Sequence, residues 1–179
     1  MGASEYAERL DELDAHSATG MSSSTAAGRI SYMLGLRGPS MVIDTACSSS
    51  LVAAHLACQS LSSGESELAL VGGVRLIVTP TFMTAMSKLG ALSADGRCKS
   101  FDAAADGYGR GEGGAMVVLK RLADARRAGD RVRAVLLGSA VNQDGRSNGL
   151  TAPNGPAQSD VIRSALARAG IAPREVGYV

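Results

Sequence analysis

Cysteine and histidine are the side chains of this 179-residue sequence best suited to nucleophilic or proton-transfer chemistry, and they occur at five positions: Cys47, Cys58, Cys98, His16 and His55. Cys47 lies in Asp44-Thr45-Ala46-Cys47-Ser48-Ser49-Ser50, where a short strand-like run, MVIDTA, gives way to the helix-like SSSLVAAHLACQSL. A strand turning sharply into a helix presents the first helical residues at a sheet edge, where backbone N–H groups have no intrahelical partner. The positive end of the helix dipole favours thiolate over thiol. The same N–H groups can hold an oxyanion formed on an attacked carbonyl. Asp44, Thr45 and the three serines supply short polar side chains that can tie the turn down without filling the space above the sulfur. A small, buried and inert thiol would have the same local sequence, so position alone leaves the two alternatives even.

A nucleophilic cysteine commonly works with a histidine. His55 lies eight residues further along the same helix-like run, roughly 12 Å away at the helical rise, too far for a direct hydrogen bond. It is expected to be a core or surface residue, and His16 a solvated loop residue. Cys58 is expected in helix packing and Cys98 in a polar loop. GRGEGG, residues 109–114, formally matches G-x-G-x-x-G, but its glycines precede a strand-like run instead of following one, which argues against dinucleotide binding. Glu112 within it is expected to bond backbone.

The elements that must position Cys47 follow from periodicity. Residues 4–14 space Tyr6, Leu10 and Leu13 as one face of a short helix. SSSTAAGRISYMLG predicts a second helix, capped by serines and ended by Gly35, before a turn at Gly38-Pro39. The run after Cys47 places apolar residues at 51, 54, 58 and 61, with Val52 and Leu56 widening the stripe, and so predicts a buried helix. ELALVGGV from Glu67 is a continuous apolar run of the kind seen in strands covered on both faces. Strand, helix and strand within about 35 residues suggest a βαβ unit. Residues 79–112 lose periodicity and gather turn residues, a long loop of the kind that borders sites. GAMVVLKRL, RVRAVLLGSAV and EVGYV predict further strands, with helices over 123–128 and 157–169.

Composition bounds the function classes. With 45% hydrophobic residues the chain can build a core as one globular unit, and with no Trp, four Tyr, two Phe and 22 Gly that core rests on aliphatic side chains and close backbone approaches. Eighteen basic residues against 17 acidic ones leave no basic footprint for nucleic acid or an anionic membrane. Three cysteines without metal-ligand or disulfide spacing indicate a reducing, cytoplasmic setting. The opening MGASEYAERLDELD is acidic and lacks the basic and apolar segments expected of a signal peptide, and no apolar run approaches the roughly 20 residues of a membrane span. The sequence ends at Val179 inside a strand-like run, as if cut.

Four blocks, GPSMVIDTACSSSLVAAHLA, LALVGGV, DGRCKSFDAAADGYGRGEG and GSAVNQDGRSNGLTAPNGPAQ, occur in an order that resembles the ketosynthase domain of modular type I polyketide synthases. That domain is a β-ketoacyl synthase of the thiolase fold. The resemblance covers essentially the whole chain and is clearest from Thr19 onward. It implies an α/β, thiolase-like fold, with residues 1–179 mostly the N-terminal half of the duplicated layered domain, lacking its start and its C-terminal half. It implies that Cys47 is the catalytic acyl acceptor. The acyl chain would arrive as a thioester on the phosphopantetheine of an acyl carrier protein, then condense with a decarboxylated malonyl-type extender. No bound cofactor or metal is implied. The implied partners are the carrier protein, neighbouring megasynthase domains and, in the intact domain, a second copy as a homodimer.

The family's two catalytic histidines belong to H-G-T-G-T and N-I-G-H blocks that this sequence does not contain, the first being expected just beyond EVGYV. The chain alone is therefore expected to carry an acylation site and no condensation activity, and its face toward a missing half would be apolar and prone to aggregation. The 141–158 block is expected near the acyl or pantetheine entrance. Alternatives are a non-elongating acyl-transfer or carrier-docking ketosynthase, a thiolase-type enzyme using coenzyme A thioesters, and a hydrolase. The last is weakened by the absence of a G-x-S-x-G elbow and of a well-placed histidine.

Overall fold

The computed structural model describes residues 13–179, so the helix expected over 4–14 lies outside the described residues save for its last two positions. Six α-helices and one two-stranded sheet are formed among the described residues: α1 (Ser17–Met21), α2 (Ser24–Leu34), α3 (Ser49–Ser63), β1 (Leu68–Arg75), α4 (Thr81–Lys88), β2 (Gly113–Lys120), α5 (Leu122–Ala128) and α6 (Gly155–Ala169). Short 3₁₀ turns cover Ala46–Ser48 and Pro173–Glu175. The chain divides into two compact units. Among the described residues, the first comprises 13–69 and 119–179, and the second 70–118.

In the first unit, α2 ends as its sequence dictates. Gly35 takes the left-handed conformation at φ 66°, which a residue without Cβ adopts freely. The Gly35 N–H then bonds the Tyr32 carbonyl at 3.4 Å and the Leu36 N–H the Ser31 carbonyl at 2.9 Å, the paired closure of a Schellman motif. The serines before α2 do not cap it as expected, because Ser23 is itself helical and its side chain makes no cap bond. Helix α6 starts two residues earlier than the periodicity suggests. Asn154 takes the N-cap and accepts from the Ala157 N–H at 3.3 Å, with a proline in the first turn.

The buried apolar residues are few: Leu61 on α3, Val71 on β1 and Ala125 on α5. Arg121 joins the regions around Leu61 and Ala125, donating from Nη1 to the carbonyls of Leu61 at 2.7 Å and Ser66 at 3.0 Å while its Nε holds Asp124 at 2.5 Å. One guanidinium thereby satisfies carbonyls at the end of α3 and anchors the start of α5.

Helix α3 is not buried all round, since Leu51 is 75% exposed and only His55 and Leu61 are buried. The runs expected as strands at 41–46, 131–141 and 175–179 form no ladder. A strand exists through its hydrogen-bonded neighbour, and no described segment pairs with these three, so the βαβ unit is not completed. Leu136 and Leu137 accordingly lie 60% exposed.

In the second unit, Gly72 lies against Ala115 and Met116 while Gly114 lies against Gly73 and Val74. The numbering of β1 and β2 thus runs in opposite senses and the pairing is antiparallel. Beyond Val71, β1 is open on both faces, contrary to the doubly covered strand expected. The segment expected as one long loop contains α4, and residues 91–109 are closed by a bridge between Leu92 and Tyr108. Inside that loop Lys99 Nζ reaches Asp106 at 2.5 Å, Asp95 at 3.1 Å and the Ser93 hydroxyl at 3.1 Å. Asp95 falls to about 2, first through the hydrogen bond from Ser93 and then through Lys99. Asp106 is lowered mainly by Lys99, and Lys99 is raised mainly by Asp106.

Candidate acylation site

Cys47 sits in the 3₁₀ turn that leads directly into α3, and it is exposed. Each polar neighbour in the turn has a partner. The Asp44 carboxylate accepts from the Ala46 N–H at 3.1 Å, and the Ser49 hydroxyl accepts from the Thr45 N–H at 2.9 Å. The Ser49 and Ser48 hydroxyls donate back to the carbonyls of Ala46 at 2.7 Å and Thr45 at 2.9 Å, and the Thr45 and Ser48 hydroxyls meet at 2.9 Å. These short side chains spend their hydrogen bonds on the turn and leave the sulfur uncovered. Ala46 adopts φ 55°, a left-handed conformation in a residue with a Cβ. Such strain is held only where the surroundings over-determine it, and here the bonds around the turn do so.

Beside the turn lies a cavity of about 960 Å³ walled by Thr45, Ser48 and Val52 on one side and the irregular segment 141–152 on the other. Thr45 and Ser48 flank Cys47 in sequence, and the cavity borders the turn that carries the thiol. The far wall is shaped by its own polar side chains. Asn154 donates to the carbonyls of Asp144 at 2.8 Å and Arg146 at 3.4 Å, while the Asp144 carboxylate accepts from the Asn154 N–H at 3.0 Å. Asn142 donates to the Ala157 carbonyl at 2.7 Å, fixing the segment to α6.

The two histidines are not brought to the thiol. His16 is exposed and stands at the start of α1. His55 is buried, with Nδ1 2.7 Å from the Ser139 hydroxyl and Nε2 3.0 Å from the Gln59 amide nitrogen. It is a hydrogen-bonded core histidine. Cys58 is part-buried, and burial pushes its thiol up. Cys98 is exposed, but its sulfur accepts from the Gly109 N–H at 3.3 Å. Glu112 accepts from the Ile77 N–H through Oε1, a backbone bond as expected. Among the described residues no group of three or more His, Cys, Asp or Glu side chains could hold a metal ion, and no helix is long and apolar enough to cross a membrane.

Sequence reasoning missed Asn142 and Asn154 as wall-fixing residues. Asn154 carried a usable signal, because Asn-Gly-Pro before an apolar-periodic run marks a helix start. Asn142 carried none.

An exposed thiol on a self-tied turn at a helix N-terminus, beside a cavity, is an arrangement suited to a cysteine nucleophile. The profile for the N-terminal domain of β-ketoacyl synthase matches residues 1–125 and that for its C-terminal domain residues 133–179. The chain belongs to the β-ketoacyl synthase family. It is 62% identical over 167 residues to one of the phenolphthiocerol/phthiocerol polyketide synthase subunits of Mycobacterium tuberculosis (strain CDC 1551 / Oshkosh), an overlap that covers 93% of this chain and 11% of that protein. It is 60% identical over 172 residues to another of the phenolphthiocerol/phthiocerol synthase subunits of the same strain, covering 96% of this chain and 9% of that protein.

Among solved structures, the oxazolomycin ketosynthase domain OzmH KS7 of Streptomyces albus JA3453 superposes with a TM-score of 0.86 at 46% identity, over 88% of this chain and 28% of that one. The ketosynthase from module 6 of the bacillaene synthase of Bacillus subtilis 168 gives 0.86 at 48%, over the same shares. The fold is therefore the α/β, thiolase-like fold of ketosynthases. The chain spans about a tenth of the length of the polyketide synthase proteins it matches.

Proposed function

We propose that this chain supplies the acyl-accepting site of a polyketide synthase ketosynthase domain, with Cys47 as the nucleophile. The observation that carries this is the exposed thiol on its hydrogen-bonded turn at the head of α3, beside a cavity. The Cys47 thiolate attacks the carbonyl carbon of an acyl thioester carried on the phosphopantetheine of an acyl carrier protein. The carbonyl π pair moves to oxygen, where backbone N–H groups of the opening turn can stabilise it. Collapse of the tetrahedral intermediate breaks the C–S bond to pantetheine. That sulfur leaves as a thiolate and takes a proton from solvent, and the acyl group remains on Cys47.

In the whole domain the acyl group then condenses with a decarboxylated malonyl-type extender, giving a β-ketoacyl thioester. The named relatives are polyketide synthase proteins and ketosynthase domains, which favours carrier-bound substrates over free coenzyme A thioesters. The partners that fit are the acyl carrier protein, the adjoining domains of a multifunctional cytoplasmic synthase, and a second copy of the domain.

The test is intact-mass analysis of the chain after incubation with an acyl N-acetylcysteamine thioester. One acyl adduct is expected in the wild type, none in Cys47→Ala, and an undiminished adduct in Cys98→Ala. Equal labelling of wild type and Cys47→Ala sinks the assignment.

A further inference from the structure

His55, set aside as a partner for the thiol, occupies a position that the chemistry of the site does not use. Ser48, Val52, His55 and Gln59 succeed one another at spacings of four, three and four residues, which puts them on one face of the helix. Ser48 and Val52 line the large cavity, while His55 and Gln59 line a second, smaller one of about 220 Å³ together with residues 136–139 and Arg168. The stripe of α3 that carries the cavity wall therefore continues into the stripe that holds the stretch leading to its opposite wall.

Both ring nitrogens of His55 are engaged, Nδ1 2.7 Å from the Ser139 hydroxyl and Nε2 3.0 Å from the Gln59 amide nitrogen. Ser139 is gripped from the other side as well. Arg168 on α6 donates to its carbonyl at 2.9 Å. A Cβ on the adjacent Gly138 would lie 2.6 Å from the Ala165 carbonyl oxygen and from the Ala169 nitrogen, so the backbone here is pressed against α6. Two residues beyond Ser139 the cavity segment begins at Val141.

We propose that His55 is a positioning residue for acyl transfer. By fixing Ser139 between α3 and α6 it sets the root of segment 141–152, and with it the distance between the cavity walls beside Cys47. The inference rests on Cys47 being the acyl acceptor. It concerns how the thioester is held, not how the thiol is activated, because the turn that carries Cys47 is tied entirely within residues 44–49.

Two reactions of Cys47 in the full chain separate these roles. Alkylation by iodoacetamide needs only an accessible thiolate. Acylation by an N-acetylcysteamine thioester needs the cavity as well. His55→Phe and Ser139→Ala are each expected to slow acylation about tenfold, the scale of a sub-ångström misplacement, while alkylation stays within about twofold of wild type. His55→Asn, whose amide nitrogen can stand where Nδ1 stands, is expected to recover acylation to within about threefold. Ser139→Ala leaves the helix sequence untouched and serves where His55→Phe fails to fold. Wild-type ratios of acylation to alkylation in both His55→Phe and Ser139→Ala, or a parallel fall of the two reactions, overturn the positioning role. Absence of any Cys47 adduct in the wild-type chain overturns the acyl-acceptor reading itself, and this inference with it.

Discussion

Ala46 offers a sharp test of whether the nucleophile's turn is held under strain. At φ 55° it is one of two non-glycine residues with positive φ among the described residues, and it immediately precedes Cys47. A left-handed L-residue costs roughly 1–2 kcal/mol. Glycine carries no such steric cost but gives the unfolded chain extra freedom worth roughly 0.4–1 kcal/mol. Ala46→Gly should therefore stabilise the chain by about 0.5–1 kcal/mol. Ala46→Val should destabilise it by about 1–2 kcal/mol, because a β-branched side chain tolerates positive φ worst. Ala46 is exposed, so neither substitution changes core packing and the spread between them isolates the backbone. Urea unfolding followed by circular dichroism resolves a gap of about 2 kcal/mol provided the slopes stay equal. If Ala46→Val matches the wild type, or Ala46→Gly is the less stable of the two variants, the strained-turn account is wrong.

Two further outcomes follow from other contacts. Arg121→Ala removes two charge-assisted bonds to the carbonyls of Leu61 and Ser66 together with the Asp124 pair, and is expected to cost about 2–3 kcal/mol. Arg121→Lys, which keeps the charge and loses the fork, should recover only part of that in urea unfolding, and full recovery would show that geometry is unimportant there. The Lys99 cluster should open in acid. Asp95 and Asp106 ionise more readily in the folded chain than at the ordinary 3.8, so their contribution is present above about pH 4 and is lost as pH falls toward about 2. The raised Lys99 contributes below its ordinary 10.5 and loses that contribution only as pH rises through its higher folded value. Amide exchange in residues 92–109, corrected for its intrinsic pH dependence, should rise below about pH 4 in the wild type. Lys99→Met should flatten that rise, and a pH-independent wild type would refute the cluster's role.

What the sequence disclosed follows the range of the interactions involved. The turn around Cys47 was legible because its bonds run between residues two to four apart, so residue types at fixed offsets were enough. The end of α2 was legible for the same reason, through Gly35, and left-handed Gly129 and Gly170 close α5 and α6 in the same way. The strands expected at 41–46 and 131–141 were read from composition, which reports apolar character but not whether a neighbour is present to pair. Helix α4 was missed because Pro80 and a weak period hid it in a stretch dominated by turn residues. His55 was rightly separated from the thiol by helix rise, yet its bond to Ser139 spans 84 residues, and no local pattern announces such a contact.

That division of range is also a division of function. The bonds of residues 44–49 decide whether the sulfur is presented, and they are made without help from the rest of the chain. On the proposed roles, the contacts of His55, Ser139, Asn142 and Asn154 set what can approach it; the His55–Ser139 bond spans 84 residues, while Asn142 and Asn154 bond within residues 142–157. Changes in the first group that hide the sulfur should slow alkylation and acylation together, whereas changes in the second should slow acylation by a thioester and leave a small alkylating agent unaffected. Acylation-to-alkylation ratios across the two groups therefore test whether the site is built in two separable layers. If turn variants such as Ala46→Val slow acylation and leave alkylation at the wild-type rate, the turn acts on the thioester and not on presentation of the sulfur, and the separation fails.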